Sequence, residues 1–217
     1  MSRKDIAAVV EDAGVVAVIR MREADRLHAV VEAIAAGGVR VLEVTMTVPG
    51  AVELIAELAS ALPEGFLLGA GTVTDAATAT RVIQAGARFV VSPVFKRDVI
   101  EACHDRGIPA MPGCFTPTEI FDAWESGADI VKVFPATALG PGFFKDVRGP
   151  LPHVKMMPTG GVTIDNAGDW IRAGAVAVGV GTALLDARAI ADGNYDVLRS
   201  NAQRIVANVR SAKDQAR

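Results

Sequence analysis

The chain has 217 residues, of which 51% are hydrophobic and 22% charged, so it can bury a large core and falls outside the disordered class. Its formal net charge is −3 with no basic stripe, which argues against nucleic acid as a partner. The two cysteines, Cys103 and Cys114, form no CxxC or metal-type spacing, and the charged start Met1–Asp5 leads into no signal-peptide core. These features predict reduced thiols, a cytoplasmic location and no membrane association. The longest near-apolar run, Ala173 to Leu185, is broken by glycines and too short to span a bilayer.

In chain order, Asp5 to Ala13 reads as a short opening helix stopped by Gly14. Val15 to Ile19 is a strand-length apolar run ending at Arg20, and Ala24 to Ala36 has helical spacing with Gly37-Gly38 as its stop. Val41 to Thr45 is the second strand, and Ala51 to Leu62 the next helix. The pattern then repeats: strand Leu67–Gly71 with helix Asp75–Ala85, and strand Phe89–Ser92 with helix Arg97–Arg106. Strand Ala110–Gly113 precedes helix Pro117–Ser126, and Ile130–Phe134 precedes a shorter helix, Gly142–Val147. Lys155–Pro158 precedes Ile164–Ala173, and Ala177–Gly181 precedes a terminal helical region.

Punctuation supports this division. Glycine follows the helices at Gly38, Gly86, Gly107, Gly127 and Gly174, where it supplies a left-handed stop at no steric cost. Thr116-Pro117-Thr118-Glu119 reads as a capping box with proline in the first turn. Alternating strands and helices imply parallel strands with right-handed crossovers. Eight such units predict a (β/α)8 TIM barrel, in one domain over residues 1–217 with a short N-terminal helix. An open doubly wound sheet is the structural alternative.

Two strands break the apolar rule. Lys132 sits inside Ile130–Phe134 and Glu43 inside Val41–Thr45. Burial of an amine disfavours its ammonium form, and a free amine in an apolar wall can attack a carbonyl and form a Schiff base. The bland alternative is a structural lysine, paired with a carboxylate or reaching past the strand end to water. In an eight-strand barrel the second and sixth strands face each other, so both side chains can point into one lumen. A buried ion pair is a weak stabiliser, so two opposed charges there favour chemistry.

The strand ends carry hydroxyls and glycines: Thr45, Thr47, Thr72, Ser92-Pro93 and Thr159-Gly160-Gly161. Each alone reads as a turn or cap residue. Gly160-Gly161 and Gly179-Val180-Gly181-Thr182 follow the seventh and eighth strands, where many barrels bind phosphate through exposed amides. Arg20 can grip a carboxylate or phosphate through its planar fork, or be an ordinary surface arginine. His28, His104 and His153 do not cluster with acidic residues at ligand spacing, which argues against a zinc mechanism.

Between Val15 and Leu185 the motifs Val18-Ile19-Arg20, Leu42-Glu43-Val44-Thr45, Gly69-Ala70-Gly71-Thr72-Val73, Val91-Ser92-Pro93, Met111-Pro112-Gly113, Thr116-Pro117-Thr118-Glu119, Val131-Lys132-Val133-Phe134-Pro135-Ala136 and Pro158-Thr159-Gly160-Gly161-Val162 occur in that order. The chain thereby resembles the 2-keto-3-deoxy-6-phosphogluconate aldolase family, also called the 4-hydroxy-2-oxoglutarate aldolase group. The resemblance implies a class I aldolase, a carbon–carbon lyase on a (β/α)8 barrel, homotrimeric and cytoplasmic, acting in Entner–Doudoroff carbohydrate metabolism. It implies neither cofactor nor metal. The small-molecule partners it implies are a keto-acid sugar phosphate and pyruvate.

By the same resemblance Lys132 forms the Schiff base with pyruvate and Glu43 is the general acid/base. Thr72 and Thr159 contact the pyruvyl group, and Pro93 and Phe134 line its surroundings. Gly160, Gly161, Gly181 and Thr182 cradle phosphate, with Thr182 where serine is common. Some members carry arginine at the Thr47 position and use it on the substrate carboxylate; here Arg20 takes the anion-gripping role. That exchange leaves the gluconate and galactonate forms open. Two other readings are a phosphate-binding barrel enzyme without a Schiff base and a non-catalytic sugar-phosphate sensor.

Overall fold

The structure is a computed structural model that describes residues 1–215. Helix α1 (Arg3–Ala13) opens on a Ser2/Asp5 capping box and ends at Gly14 with φ 70°. It leads into β1 (Val15–Ile19), which is buried along its whole length, as are β2 (Val41–Thr45) and β3 (Leu67–Gly71). Strands covered on both faces must be apolar throughout, which explains the continuous Val/Leu/Ile runs. Between them lie α2 (Leu27–Ala36), entered through a 3₁₀ turn at Ala24–Arg26, and α3 (Ala51–Ala61).

The remaining units are α4 (Ala76–Gln84), β4 (Val90–Val91), α5 (Arg97–His104), β5 (Ala110–Met111), β6 (Gly113–Cys114) and α6 (Pro117–Glu125). They are followed by β7 (Val131–Val133), α7 (Gly140–Arg148), β8 (Met156–Pro158), α8 (Ala167–Arg172), β9 (Val178–Val180), α9 (Ala187–Ala191) and α10 (Tyr195–Gln215). The capping box on α6 forms as the sequence predicts, and the helix stops take left-handed glycines, as at Gly86 (φ 111°) and Gly127 (φ 95°).

Every strand pairing is parallel, and helices cover the outer face of a curled sheet. Among the described residues the expected eight continuous strands are instead nine, in a six-strand sheet ordered β5-β4-β3-β2-β1-β9 and a three-strand sheet ordered β6-β7-β8. The two sheets follow one another through Pro112, whose nitrogen has no hydrogen to give to a ladder. Pro93 likewise ends the fourth strand early, so only Val90–Val91 pair where Phe89–Ser92 was expected. At the other junction a single bridge, Thr159 to Gly179, joins the end of β8 to β9.

Helix α10 lies across α2 and α8. It comes close enough to α8 that a side chain on Gly168 would strike Asn208. α8 starts later than Ile164 because residues 163–166 form a turn of their own, in which Thr163 and Asn166 bond to each other's backbone. No helix of the described residues is long and apolar enough to cross a membrane.

Candidate active site

Glu43 projects from the middle of β2 and is 0% exposed. Register places it opposite Gly69 and Thr45 opposite Gly71. Its carboxyl leans over Gly71, where an added methyl would lie 2.6 Å from the carboxyl carbon. Glycine at that position makes room for the acid. Neither carboxyl oxygen of Glu43 has a hydrogen-bond partner among the described residues.

Lys132 projects from β7, in register with Gly113 and Met157, and is 5% exposed. Its Nζ lies 5.1 Å from the centroid of the Phe134 ring, within cation–π range. Burial pushes the Glu43 carboxyl above its ordinary value, and the nearby charges of Lys132 and Arg20 oppose that rise. Lys132 therefore faces the same interior as Glu43. Yet no ion pair within 4.0 Å joins them among the described residues, which removes the bland reading of a satisfied buried pair.

Around these two groups lie polar strand ends. Thr159 is buried with its Oγ1 unpartnered, and a side chain on Gly179 would strike that oxygen. Thr72, directly after β3, has φ 60° and is the sole non-glycine residue with positive φ among those described. A β-branched residue held in that conformation is strained, and such strain gathers at functional sites. Ser92 is buried, its Oγ accepts from Val94 N at 3.3 Å, and Pro93 beside it is half-buried.

A cavity of about 260 Å³ opens above β1, β8 and β9. Arg20, Phe134 and Thr159 line it together with Gly160, Gly161, Gly181 and Thr182. Gly160 and Gly161 are left-handed, with φ 88° and 73°, so the chain turns sharply with no Cβ between its amides and the cavity. Among the described residues the N–H groups of Gly160, Gly161, Gly181 and Thr182 have no acceptor, and Arg20 adds a cation. Free amides and a guanidinium on one small cavity suit an anion.

Thr47 and Thr72 do not line this cavity. Thr72 borders a second one of about 380 Å³ over the loops after β2 and β3, and Thr47 is exposed. Thr47 Oγ1 bonds to Thr45 Oγ1 at 2.7 Å, and Thr45 Oγ1 donates to Ile19 O at 3.0 Å, next to Arg20. The sequence reading passed over Asn166, whose amide donates to Gly161 O at 3.0 Å. The Thr163-x-x-Asn166 spacing before a helix was the available signal.

Two histidines each meet a single carboxylate. His104 Nε2 meets Asp129 at 3.2 Å and His28 Nε2 meets Glu57 at 3.5 Å, carboxylates distant in sequence that the fold brings near. Cys103 and Cys114 are free and buried, and burial pushes each thiol up to about 12, which keeps it protonated and unreactive.

The family model for KDPG and KHG aldolases matches residues 6–200. The chain belongs to this aldolase family. A 2-dehydro-3-deoxy-phosphogluconate aldolase of Dickeya dadantii is 34% identical over 194 residues, 89% of this chain and 91% of that protein. A 2-dehydro-3-deoxy-6-phosphogalactonate aldolase of Escherichia coli is 32% identical over 170 residues, 78% of this chain and 83% of that one. The crystal structure of KDPG aldolase from Legionella pneumophila superposes with TM-score 0.85 at 32% identity, covering 92% of this chain and 97% of that one. In that structure pyruvate is captured as a covalent carbinolamine intermediate. The KDPG and KHG aldolase match takes in the whole segment, Val15 to Leu185, that carries the sequence resemblance.

Proposed function

We propose that this aldolase cleaves 2-keto-3-deoxy-6-phosphogluconate to pyruvate and D-glyceraldehyde 3-phosphate through a Schiff base on Lys132. The observation that carries the reading is the fully buried, unpartnered Glu43 carboxyl sharing an interior with the buried Lys132 amine. The free amine of Lys132 adds to the substrate C2 ketone to give a carbinolamine; Glu43 gives its proton to the carbinolamine hydroxyl, which leaves as water, so that a protonated imine and the Glu43 carboxylate remain. The C3–C4 bond then breaks, its electron pair moves into the imine, and an enamine forms. Glu43 takes the proton from the C4 hydroxyl as that bond breaks and returns it to the enamine carbon. Water then adds to the imine and gives a proton back to Glu43, and the carbinolamine collapses to pyruvate and the free Lys132 amine. A carboxyl held above its ordinary value by burial is suited to hold and pass that proton.

Thr72, Thr159 and Pro93 hold the pyruvyl end in this reading, with Phe134 beside the amine. The phosphate lies on the amides of Gly160, Gly161, Gly181 and Thr182, and Arg20 and Thr47 bind the remaining anionic and hydroxyl groups. The nine strands then make one closed (β/α)8 barrel in a single domain, with the fifth stave divided at Pro112 and the ring completed by the Thr159–Gly179 bridge. We place the enzyme in the cytoplasm, in the Entner–Doudoroff breakdown of sugar acids, as a homotrimer. Val94 after β4, Phe115 after β6 and Phe121 on α6 are exposed apolar side chains that a subunit contact would cover.

The family covers neighbouring substrates. Cleavage of 4-hydroxy-2-oxoglutarate to pyruvate and glyoxylate uses the same bond and the same amine. The galactonate epimer is the second reading, left open by the exchange of arginine between the Thr47 and Arg20 positions. Cleavage rates on the three substrates separate these readings. The mechanism is tested by incubating the protein with pyruvate and borohydride and measuring its mass. A reduced pyruvyl adduct should map to Lys132 and be absent from Lys132→Ala. Turnover without an adduct would instead make Lys132 an acid or charge stabiliser, and binding without turnover would make the protein a sensor.

A further inference from the structure

The loop after β8 carries the glycine pair over the anion cavity, and consecutive left-handed glycines do not hold a shape by themselves. Asn166 supplies the shape. Its Nδ2 donates to Gly161 O at 3.0 Å, its Oδ1 accepts from Thr163 N at 2.7 Å, and its own N–H donates to Thr163 Oγ1 at 3.1 Å. One side chain thus fixes the Gly161 carbonyl and the turn that follows.

That turn is fixed in its own right from the far end of the chain. Asn208 on α10 donates through Nδ2 to Ile164 O at 2.9 Å and to Asp165 O at 3.0 Å, while its Oδ1 accepts from Gly168 N at 3.0 Å. Three backbone groups within five residues are satisfied by one amide. Arg204, also on α10, pairs with Asp165 at 2.9 Å on the exposed side. None of these contacts reaches β2 or β7.

We propose that Asn166 and Asn208 are positioning residues for the phosphate cradle, through which α10 sets the preference for phosphorylated substrate. The inference rests on the cradle reading above. Neither residue contacts substrate: Asn208 holds the 163–168 turn, Asn166 holds Gly161 from that turn, and the amides of Gly160 and Gly161 stay aimed at the anion. Cleavage at Lys132 does not depend on the relay, so a substrate with no phosphate should not sense its loss.

The test compares kcat/KM for 2-keto-3-deoxy-6-phosphogluconate and for unphosphorylated 4-hydroxy-2-oxoglutarate in wild type, Asn166→Ala, Asn208→Ala and Asn208→Asp. Inorganic phosphate is titrated as an inhibitor of each. In the alanine variants the ratio should fall roughly tenfold, the size of about one hydrogen bond, and phosphate inhibition should weaken in step. Turnover of the unphosphorylated substrate and borohydride trapping of pyruvate should stay at wild-type levels. Asn208→Asp keeps the acceptor for Gly168 and loses both donors, so its ratio should fall as well. Asn166 lies in a surface turn, so its variant keeps the test intact should Asn208 variants fail to fold. Equal losses on both substrates, or an unchanged ratio, would overturn the proposal while leaving the cradle in place. A wild-type enzyme indifferent to phosphate would overturn the cradle and this inference together.

Discussion

Glu43 and Asp129 hold their carboxylates away from solvent at different levels of the sheet, and they are treated in opposite ways. Asp129, just before β7, has a side chain only 8% exposed, and every direction it faces is answered. Arg3 approaches at 3.4 Å, His104 Nε2 at 3.2 Å, and Ala110 N donates to it at 3.0 Å. Glu43 is more deeply buried and has no partner on either oxygen. Asp129 ties α1, α5 and the start of β5 together at the N-terminal ends of the strands. Glu43 lies below the strand ends where parallel α/β folds place their ligands. A buried acid with all its partners holds a fold together, whereas one left without them costs stability that a reaction can use.

If that contrast is right, removing each acid should produce opposite damage. Glu43→Gln keeps the shape and loses the proton carrier. Its kcat should drop by roughly 10²- to 10⁴-fold, the usual weight of a positioned acid/base, with pyruvate binding and folding little changed. Steady-state kinetics beside a pyruvate-trapping assay measures both. A variant that turns over normally would remove Glu43 from the chemistry.

Asp129→Ala should do the reverse. It strands the Ala110 N–H and releases the N-terminal helix from its Arg3 anchor, so unfolding free energy should fall by about 2–3 kcal/mol. Activity per folded molecule should hold. Urea melts and trapping-normalised kcat would show this. A selective loss of kcat in that variant would mean the two ends are coupled, and the contrast would fail.

The same contrast explains what the sequence reveals and what it hides. Lys132 and Glu43 stand out because a charge inside an apolar run is anomalous whatever the fold. The strands are readable because burial on both faces forces continuous Val, Ile and Leu. Asp129 looks like an ordinary polar residue ahead of a strand, and its partners Arg3 and His104 come from two distant helices. Asn166 and Asn208 are hidden for the same reason: the amide on α10 meets Ile164, Asp165 and Gly168 only after the terminal helix docks. Pro112 marks the break in the sequence, but which neighbour each half-strand then pairs with is a tertiary choice that propensity does not encode.

The finest distinction lies in the pH dependence of stability. Burial raises the Glu43 carboxyl above its ordinary value of 4.5, with Lys132 and Arg20 opposing, so the folded chain keeps a proton that the unfolded chain has released. The stability contributed by protonated Glu43 is fully present below 4.5 and is lost as pH rises through the raised folded value. For one proton the slope cannot exceed about 1.4 kcal/mol per pH unit. Glu43→Gln is neutral throughout and lacks this loss. The unfolding free energy of wild type relative to Glu43→Gln should therefore fall as pH rises from 4.5, then level off. Urea melts from about pH 4 to about pH 9 would trace it. Lys132→Met removes the leading opposing charge, so in that background the decline should run to higher pH. A difference that stays flat across the range would mean the carboxyl titrates alike in both states, which an unpartnered acid at 0% exposure cannot do.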